Sequence, residues 1–246
     1  MPCTVIFAEG YLGGFVQALY WRQLLPFING LRAFGYDVHT PRTPPTARIA
    51  ERAEVLATCL VRARFERCVV VGHSMGGLDA RYLAHALDPD RRIRMIVTLG
   101  TPHHGSALAD YYLDNDGMLA GFARYIDHGA LSELSLEAMR IFNASTPLRN
   151  DVRFRAIAAS RPVAEQAMPI QPFGQLLEDL DGSNDGFVTP VSSAFGHEVA
   201  YVNADHMELV GWDLARISGP RREIYDPVPA LRRALAPMFT LEAEAS

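Results

Sequence analysis

The chain has 246 residues, of which 49% are hydrophobic and 21% are charged, so it can bury a substantial core and is not disordered. The net charge of −5 disfavours nucleic acid as a partner, because binding to phosphates needs a basic surface. No apolar run reaches the length of a membrane span, and we expect no transmembrane segment.

The three cysteines, Cys3, Cys59 and Cys68, are an odd number without regular spacing, so we expect neither a disulfide framework nor a zinc site. Each lies in an apolar context, which predicts buried thiols. Strand-like sequence begins by Cys3 with no signal-peptide pattern before it. This favours a cytoplasmic protein, whereas secretion stays open if a leader has been removed.

The first half of the chain alternates apolar strands with amphipathic helices. Strands are predicted at 4–8, 36–40, 68–71 and 93–99, and helices at 24–34, from an N-cap at Thr46 to about Phe65, and at 77–84. This alternation indicates an α/β fold with a mainly parallel sheet covered by helices on both faces. Active sites of such sheets lie at the carboxyl ends of the strands.

The alternation stops between 110 and 150, where two short helical segments are predicted. The first carries four apolar residues, Met118, Phe122, Tyr125 and Ile126, and the second begins near Ser135. Strands follow at 153–159 and 199–202, and three prolines predict a mostly irregular 160–184. Asp226 and Pro227 predict the start of a C-terminal helix. We interpret residues 1–246 as a single domain.

Residues 72–76 read Gly-His-Ser-Met-Gly between a predicted strand and a predicted helix. A serine on such a sharp turn has a strained backbone, and its hydroxyl projects away from the sheet. Strand and helix approach closely there, so Gly72 and Gly76 must be small. The context predicts that Ser74 is a nucleophile. The alternative is a tight turn in which Ser74 only caps the helix.

A serine hydroxyl needs a base, and eight histidines are available. His206 is the best placed, because it follows the last predicted strand in the loop 203–206. We expect His73 to point elsewhere, whereas His103 and His104 could line the mouth of the site. The alternative for His206 is an ordinary surface histidine.

The base needs an acid to fix its tautomer. Asp185, in the loop 183–188, has small neighbours that let its carboxylate reach inward. Asp205 adjoins His206 and would diverge from it, and Asp179 and Asp181 are weaker rivals. The alternative for Asp185 is an Asx-turn residue before a strand.

An oxyanion formed on a carbonyl needs two backbone N–H donors. One is expected from Met75, the residue after the nucleophile. The other is expected from Tyr11, in the turn after the first strand.

Five segments, in chain order, resemble the bacterial true lipases, which are triacylglycerol hydrolases of the α/β-hydrolase fold. They are Gly-His-Ser-Met-Gly-Gly at 72–77, Gly-Thr-Pro-His-His-Gly-Ser at 100–106, the Leu-Ser and Phe-Asn stretch at 131–143, Asn-Asp-Gly at 184–186 and Asp-His-Met-Glu at 205–208. The resemblance implies Ser74, Asp185 and His206 as a catalytic triad. It also implies that 110–150 is a mobile lid, whose apolar stripe would contact the site or lipid; ordinary core packing is the alternative for that stripe.

Three positions depart from the family pattern. Glu9 stands where the family has a histidine, in the turn 9–14 that carries the expected oxyanion donor Tyr11 and is called the oxyanion turn below. An acid at this position must be paired or turned away. Val191 lies in a region where secreted members carry a disulfide. Glu208 and Trp212 stand where many members have calcium ligands, and one carboxylate is too few, so we predict no calcium site.

The sequence therefore predicts a serine carboxylic-ester hydrolase, a lipase or esterase that needs no cofactor and acts on lipid-like esters. The same three side chains could serve an acyltransferase, a phospholipase or a polyester depolymerase. A catalytically silent α/β-hydrolase used as a binding module is the alternative from another class, and only Glu9 favours it.

Overall fold

The computed structural model describes residues 3–15, 17–115, 121, 125, 127, 129–216 and 222–240. Its sheet contains β1 (Thr4–Ala8), β2 (Asp37–His39), β3 (Cys68–His73), β4 (Ile93–Leu99), β5 (Arg153–Ser160) and β6 (Glu198–Asn203). The sheet is flanked by α1 (Gln17–Tyr20), α2 (Leu25–Ala33), α3 (Ile49–Arg62), α4 (Met75–Ala86), α5 (Ala107–Asp114), α6 (Ala130–Glu133), α7 (Leu136–Ser145), α8 (Gln171–Asp181), α9 (Pro190–Ser193) and α10 (Val228–Thr240).

The six strands form one parallel sheet in the order β2-β1-β3-β4-β5-β6. The predicted strands are confirmed, with ends that shift by at most two residues. Because all the strands run the same way, the turns that follow β1, β3, β4 and β6 meet at one edge of the sheet. Tyr11, Ser74 and His206 lie in these turns, and Asp185 lies in the loop between α8 and α9.

Successive strand residues point to opposite faces of the sheet, and each face is covered by helices. Val5, Phe7 and Val71 belong to a core cluster that also contains residues of α2 and α10. Ile6 and Val70 belong to the opposite cluster, with residues of α3 and α4. Both faces are therefore dry, which explains why the strands are continuous apolar runs.

Two of the secondary-structure predictions are wrong. Thr46 does not cap α3, which begins three residues later; the first N–H of the helix, on Ile49, donates to the Glu133 side chain at 2.6 Å. The interval 160–184 is not mostly irregular, because it contains α8. Pro172 lies in the first turn of α8, where a proline costs no hydrogen bond.

Other sequence predictions hold. The three cysteines are free and buried. The Asp226 side chain accepts a hydrogen bond from the N–H of Val228 at 2.9 Å and so caps α10. Among the described helices, none combines the length and the apolar character that crossing a bilayer requires.

Candidate active site

Ser74 lies on the turn between β3 and α4 in a strained backbone conformation, with φ 53° and ψ −130°. Non-glycine residues rarely adopt a positive φ, and such strain is typical of functional positions. The N–H of Ser74 donates to the Leu99 carbonyl at 2.8 Å, which ties the turn to the end of β4. The side chain makes no cap hydrogen bond to α4, so the simple capping alternative is wrong.

The glycines around Ser74 are required by close backbone contacts. A Cβ on Gly72 would lie 2.5 Å from the main chain of Gly77, and a Cβ on Gly76 would lie 2.3 Å from the Ala8 carbonyl oxygen. Both distances are far below van der Waals contact. The expectation that strand and helix meet closely here is confirmed.

We expect Gly76→Ala to lower the free energy of unfolding by about 1–3 kcal/mol, because the new methyl group must displace β1 or α4. A Cβ added to Gly30, inside α2, would meet no atom within 4 Å, so Gly30→Ala should instead raise stability by about 0.5–1 kcal/mol. Thermal or urea unfolding of the pair measures both effects. A Gly76→Ala protein as stable as the wild type would contradict the close contact.

Asp185 and His206 form a buried pair, with the Asp185 Oδ2 atom 2.7 Å from the His206 Nδ1 atom. The other carboxylate oxygen accepts the main-chain N–H groups of Phe187 and Val188, at 3.0 and 2.8 Å. The His206 main-chain N–H also donates to the Asp185 carbonyl at 2.8 Å. Because the carboxylate can only accept, the Nδ1 atom carries its proton and the Nε2 atom is left as the basic nitrogen.

This pair lies beside Ser74 at the carboxyl edge of the sheet. A Cβ on Gly100 would be 3.0 Å from the Asp185 Oδ2 atom and 3.2 Å from the His206 Nδ1 atom. Gly100 directly follows Leu99, whose carbonyl binds the N–H of Ser74. The imidazole of His73, which precedes Ser74, contacts the His206 ring at a centroid distance of 4.5 Å. These contacts place Asp185 and His206 near the turn that carries Ser74, and the triad itself stays a prediction.

The rival acids face other groups. The Asp179 side chain accepts a hydrogen bond from Gln175 at 3.0 Å, and that of Asp181 from Thr189 at 3.3 Å. The Asp205 carboxylate diverges from His206, as expected, and binds Arg222.

The two histidines after β4 differ in their surroundings. His103 does not line the mouth, because it is fully buried between Thr98 and Arg81. That burial holds the pKa of His103 well below its usual value. His104 is exposed, and its ring lies 3.2 Å from the Ala194 carbonyl oxygen.

The expected oxyanion donors are available. Neither the N–H of Tyr11 nor that of Met75 donates a hydrogen bond within the described part of the chain. Met75 is the first residue of α4, where an N–H has no partner inside the helix. Their roles stay predictions.

Glu9 is fully buried and turned towards the loop before α3. Its Oε1 atom accepts the N–H of Thr43 at 2.9 Å and the Thr43 hydroxyl at 3.3 Å. Its Oε2 atom has no partner among the described residues. Burial is the main cause of a raised pKa of Glu9, opposed by Thr43 and Arg52, and it favours the neutral acid. Because its carboxyl is held by Thr43 and turned away, Glu9 does not face the site of an oxyanion.

We expect Glu9→Gln to flatten part of the pH dependence of stability. A carboxyl whose pKa is raised on folding binds more protons in the folded state, so its contribution is present at low pH and is lost as the pH rises above about 4.5. The wild type should therefore lose stability relative to Glu9→Gln between pH 5 and pH 8 in urea unfolding. Parallel curves would show that folding leaves the pKa of Glu9 unchanged.

Two arginines neutralise the carboxylates that flank His206. Arg222 binds Asp205 at 2.8 Å and also Glu208, while the Arg161 Nε atom lies 3.1 Å from a Glu208 oxygen. The remaining contacts of both carboxylates are mainly main-chain N–H groups. Every carboxylate oxygen is thus taken by a donor, and the residues do not fit a calcium ion. No described group of three or more potential ligands could hold a metal.

The predicted lid is only partly visible in the described residues. Met118, Phe122 and Ile126 lie outside them. Tyr125 is 86% exposed, so its ring is not packed in the core. Met139, in the second predicted segment, is fully buried against α4. A movement of the whole 110–150 interval would have to break that packing.

The sequence is similar to one protein family and to several named lipases. The PGAP1-like alpha/beta domain family matches residues 55–128. The protein named triacylglycerol lipase 2 of Saccharomyces cerevisiae is 29% identical over 206 residues, covering 78% of this chain and 62% of the relative. A triacylglycerol lipase of Pseudarthrobacter phenanthrenivorans is 47% identical over 45 residues, covering 18% of this chain and 14% of the relative. The chain thus spans less than two thirds of these relatives.

Solved structures share the fold over nearly the whole chain. A metagenomic carboxyl esterase superposes with a TM-score of 0.78 at 23% identity, covering 97% of this chain and 76% of the esterase. Staphylococcus hyicus lipase superposes with a TM-score of 0.72 at 16% identity, covering 99% of this chain and 96% of the lipase. The chain has the fold that these α/β-hydrolase esterases and lipases share.

Sequence reasoning missed several buried polar residues around the site of this α/β-hydrolase. Arg52 donates to the Glu9 carbonyl at 2.5 Å and pairs with Asp79 of α4. It thereby links the turn after β1 to the helix that follows Ser74. Tyr20 and His73 form a second link, from the oxyanion turn to the His206 loop. Their signal in the sequence is weak: Arg52 falls on the apolar face of α3, and His73 follows an apolar strand segment.

Proposed function

We propose that this α/β-hydrolase is a serine carboxylic-ester hydrolase with Ser74 as nucleophile, His206 as base and Asp185 as acid. The observation that carries the proposal is the Asp185–His206 pair at 2.7 Å, next to a serine with φ 53°. A strained serine beside an imidazole that is fixed by a carboxylate is the arrangement that nucleophilic acyl transfer requires.

The chemistry follows from the proton positions. The Nε2 atom of His206 accepts the hydroxyl proton as the Ser74 oxygen attacks the ester carbonyl. The N–H groups of Tyr11 and Met75 stabilise the resulting oxyanion. His206 then gives the proton to the departing alkoxide, leaving an acyl group on Ser74. Water, activated by the same nitrogen, releases the acid and restores the serine.

Lipid-like acyl esters are the substrate class that we propose. The support is the naming of the relatives from yeast and Pseudarthrobacter as triacylglycerol lipases. Apolar residues also surround the nucleophile: Met75 packs in a cluster with residues of α6 and α7. We retain the lid as part of this proposal, with 110–150 as its bounds and Met118, Phe122, Tyr125 and Ile126 as its apolar stripe.

A p-nitrophenyl ester assay combined with a fluorophosphonate probe tests the proposal. We expect turnover, loss of turnover on probe treatment, and a single phosphonylated peptide that contains Ser74. A folded protein that neither hydrolyses esters nor takes up the probe would overturn the proposal and favour a catalytically silent binding module.

A series of acyl lengths, measured below and above the solubility limit of each ester, tests the substrate class and the lid together. We expect activity to rise when the ester forms aggregates, because an apolar stripe would then contact lipid. A flat response across the limit would overturn the lid. Added alcohol, phospholipid and polyester separate an acyltransferase, a phospholipase and a depolymerase by their products.

A further inference from the structure

His73 lies between Gly72 and Ser74, is buried and has no part in the proposed acyl transfer. Both of its ring nitrogens nevertheless have partners. The Nδ1 atom lies 2.6 Å from the Tyr20 hydroxyl oxygen, and the Nε2 atom lies 3.0 Å from the His206 carbonyl oxygen. The Tyr20 oxygen in turn accepts the N–H of Gly10 at 2.8 Å.

Only one arrangement of protons satisfies all of these contacts in a neutral ring. The His206 carbonyl can only accept, so the Nε2 atom of His73 must carry the proton. The Nδ1 atom is then a lone pair that accepts the Tyr20 O–H. Burial holds the pKa of His73 well below its usual value and raises that of Tyr20, which keeps both groups neutral. The bonds therefore run in one direction, from Gly10 through Tyr20 and His73 to His206.

This chain of bonds connects two parts of the proposed site. Gly10 immediately precedes Tyr11, whose N–H is the expected oxyanion donor. Arg52 holds the other side of the same turn, because it binds the Glu9 carbonyl. The Glu9–Gly10 peptide is planar, so a donor on its C=O and an acceptor on its N–H together fix its orientation.

The opposite end of the chain of bonds is the base. The His206 main chain is held on both sides, since its N–H donates to the Asp185 carbonyl while its C=O accepts from His73. Oxyanion donors act only when they lie about 2.7–3.1 Å from the developing charge, and a displacement of about 1 Å costs about two orders of magnitude in rate. A fixed distance between the oxyanion turn and the loop that carries His206 is therefore needed for a fast chemical step.

We propose that Tyr20 and His73 are positioning residues, which fix the oxyanion turn relative to His206 through one continuous hydrogen-bond chain. The inference rests on the proposed ester hydrolysis and extends it. Among the described residues, neither side chain hydrogen-bonds to the Ser74 hydroxyl or to the His206 imidazole, so both act through the main chain.

The test variant is Tyr20→Phe, which removes one oxygen and leaves the ring in place. Gly10 then loses its acceptor and His73 loses its donor. We expect kcat to fall by about 10- to 100-fold with KM within about twofold of wild type, because the defect appears in the transition state. Affinity for a boronic-acid mimic of the oxyanion should fall with kcat. Titration with the fluorophosphonate probe corrects for any misfolded fraction.

Tyr225→Phe is the matched control. Tyr225 is partly buried, and its buried hydroxyl has no partner among the described residues. Removal of that oxygen should leave both kcat and KM unchanged. An equal loss in the two variants would mean that any buried hydroxyl matters, and it would overturn the positioning role.

A double-mutant cycle tests whether the chain of bonds acts as a unit. His73→Gln places its amide near the Nε2 position, where the NH₂ can donate to the His206 carbonyl, and leaves no acceptor at the Nδ1 position that faces Tyr20, so the continuity is lost. Adding Tyr20→Phe to His73→Gln should then cost less than about twofold more in kcat. Two effects that multiply would show independent contacts and overturn the proposal.

A third readout does not depend on catalysis. Side-chain ¹H–¹⁵N spectra should show His73 as the neutral tautomer with its proton on Nε2 from pH 5 to pH 8, and Tyr20→Phe should alter these signals. A titrating His73 or the opposite tautomer would overturn the chain of bonds. A wild type with the expected tautomer but no hydrolysis and no probe uptake would overturn the proposed function and, with it, the positioning role.

Discussion

Ser74→Ala should lower the turnover of a p-nitrophenyl ester by about 10⁴-fold or more, because no other group on the turn offers an oxygen to the carbonyl. The variant should still fold. Alanine keeps the Cβ that the backbone already accommodates at φ 53°, and the Ser74 side chain makes no cap hydrogen bond that would be lost. Thermal unfolding should therefore match the wild type, and a fluorophosphonate probe should no longer label the protein.

Ser193→Ala is the matched control for Ser74→Ala. Ser193 is buried, and its hydroxyl has no hydrogen-bond partner among the described residues. Turnover by the control should equal that of the wild type. If Ser74→Ala kept more than about a tenth of wild-type turnover after purification from a host without esterase background, the nucleophile would have to lie elsewhere.

The second large effect is expected for Asp185→Asn. The side-chain oxygen of the new asparagine would stay towards the N–H groups of Phe187 and Val188, which the Asp185 Oδ1 atom binds in the wild type. The amide NH₂ would then face the Nδ1 atom of His206 as a donor. The imidazole must place its proton on Nε2 to accept that bond, and it can no longer take a proton from Ser74. Loss of the correct tautomer costs on the order of 10⁴-fold in kcat in the serine protease triad.

Asp179→Asn is the control, because sequence reasoning left Asp179 open as a rival acid and its carboxylate binds Gln175 instead. It should leave kcat unchanged. The tautomer of His206 can be read from ¹H–¹⁵N spectra of the resting enzyme. An Asp185→Asn protein that kept its activity, with the proton still on Nδ1, would remove Asp185 from the mechanism.

The part of the site that could be predicted from sequence is the part encoded by local geometry. A buried strand, a glycine-flanked serine and a helix define the turn at Ser74 without knowledge of distant residues. The role of Gly76 followed from the same local argument, and the reason is that a Cβ at this position would lie only 2.3 Å from the Ala8 carbonyl oxygen. Asp185 lies in a loop with small neighbours, and His206 lies in the loop after the last strand; these positions favoured them over the other acids and histidines.

The contacts that could not be predicted join residues that are distant in sequence. His73 and Tyr20 are 53 positions apart, and neither segment alone indicates that the ring and the hydroxyl meet. The start of α3 was misplaced for the same reason, because the partner of its first N–H is Glu133, 84 positions later. Three prolines in the interval 160–184 suggested irregular structure. Pro172, however, lies in the first turn of α8, where a helix tolerates a proline.

The contacts of Arg222 with Asp205 and Glu208, on either side of His206, set a lower limit on the length of a functional chain. Ser74, Asp185 and His206 are all complete by residue 206, but Arg222 supplies one of the two counter-ions of Asp205 and Glu208. Removal of one partner from a buried ion pair costs about 3–5 kcal/mol, because it leaves a charge without compensation. A shortened chain that ended before Arg222 would retain every proposed reacting group and still lose the shape of the loop that presents the His206 imidazole.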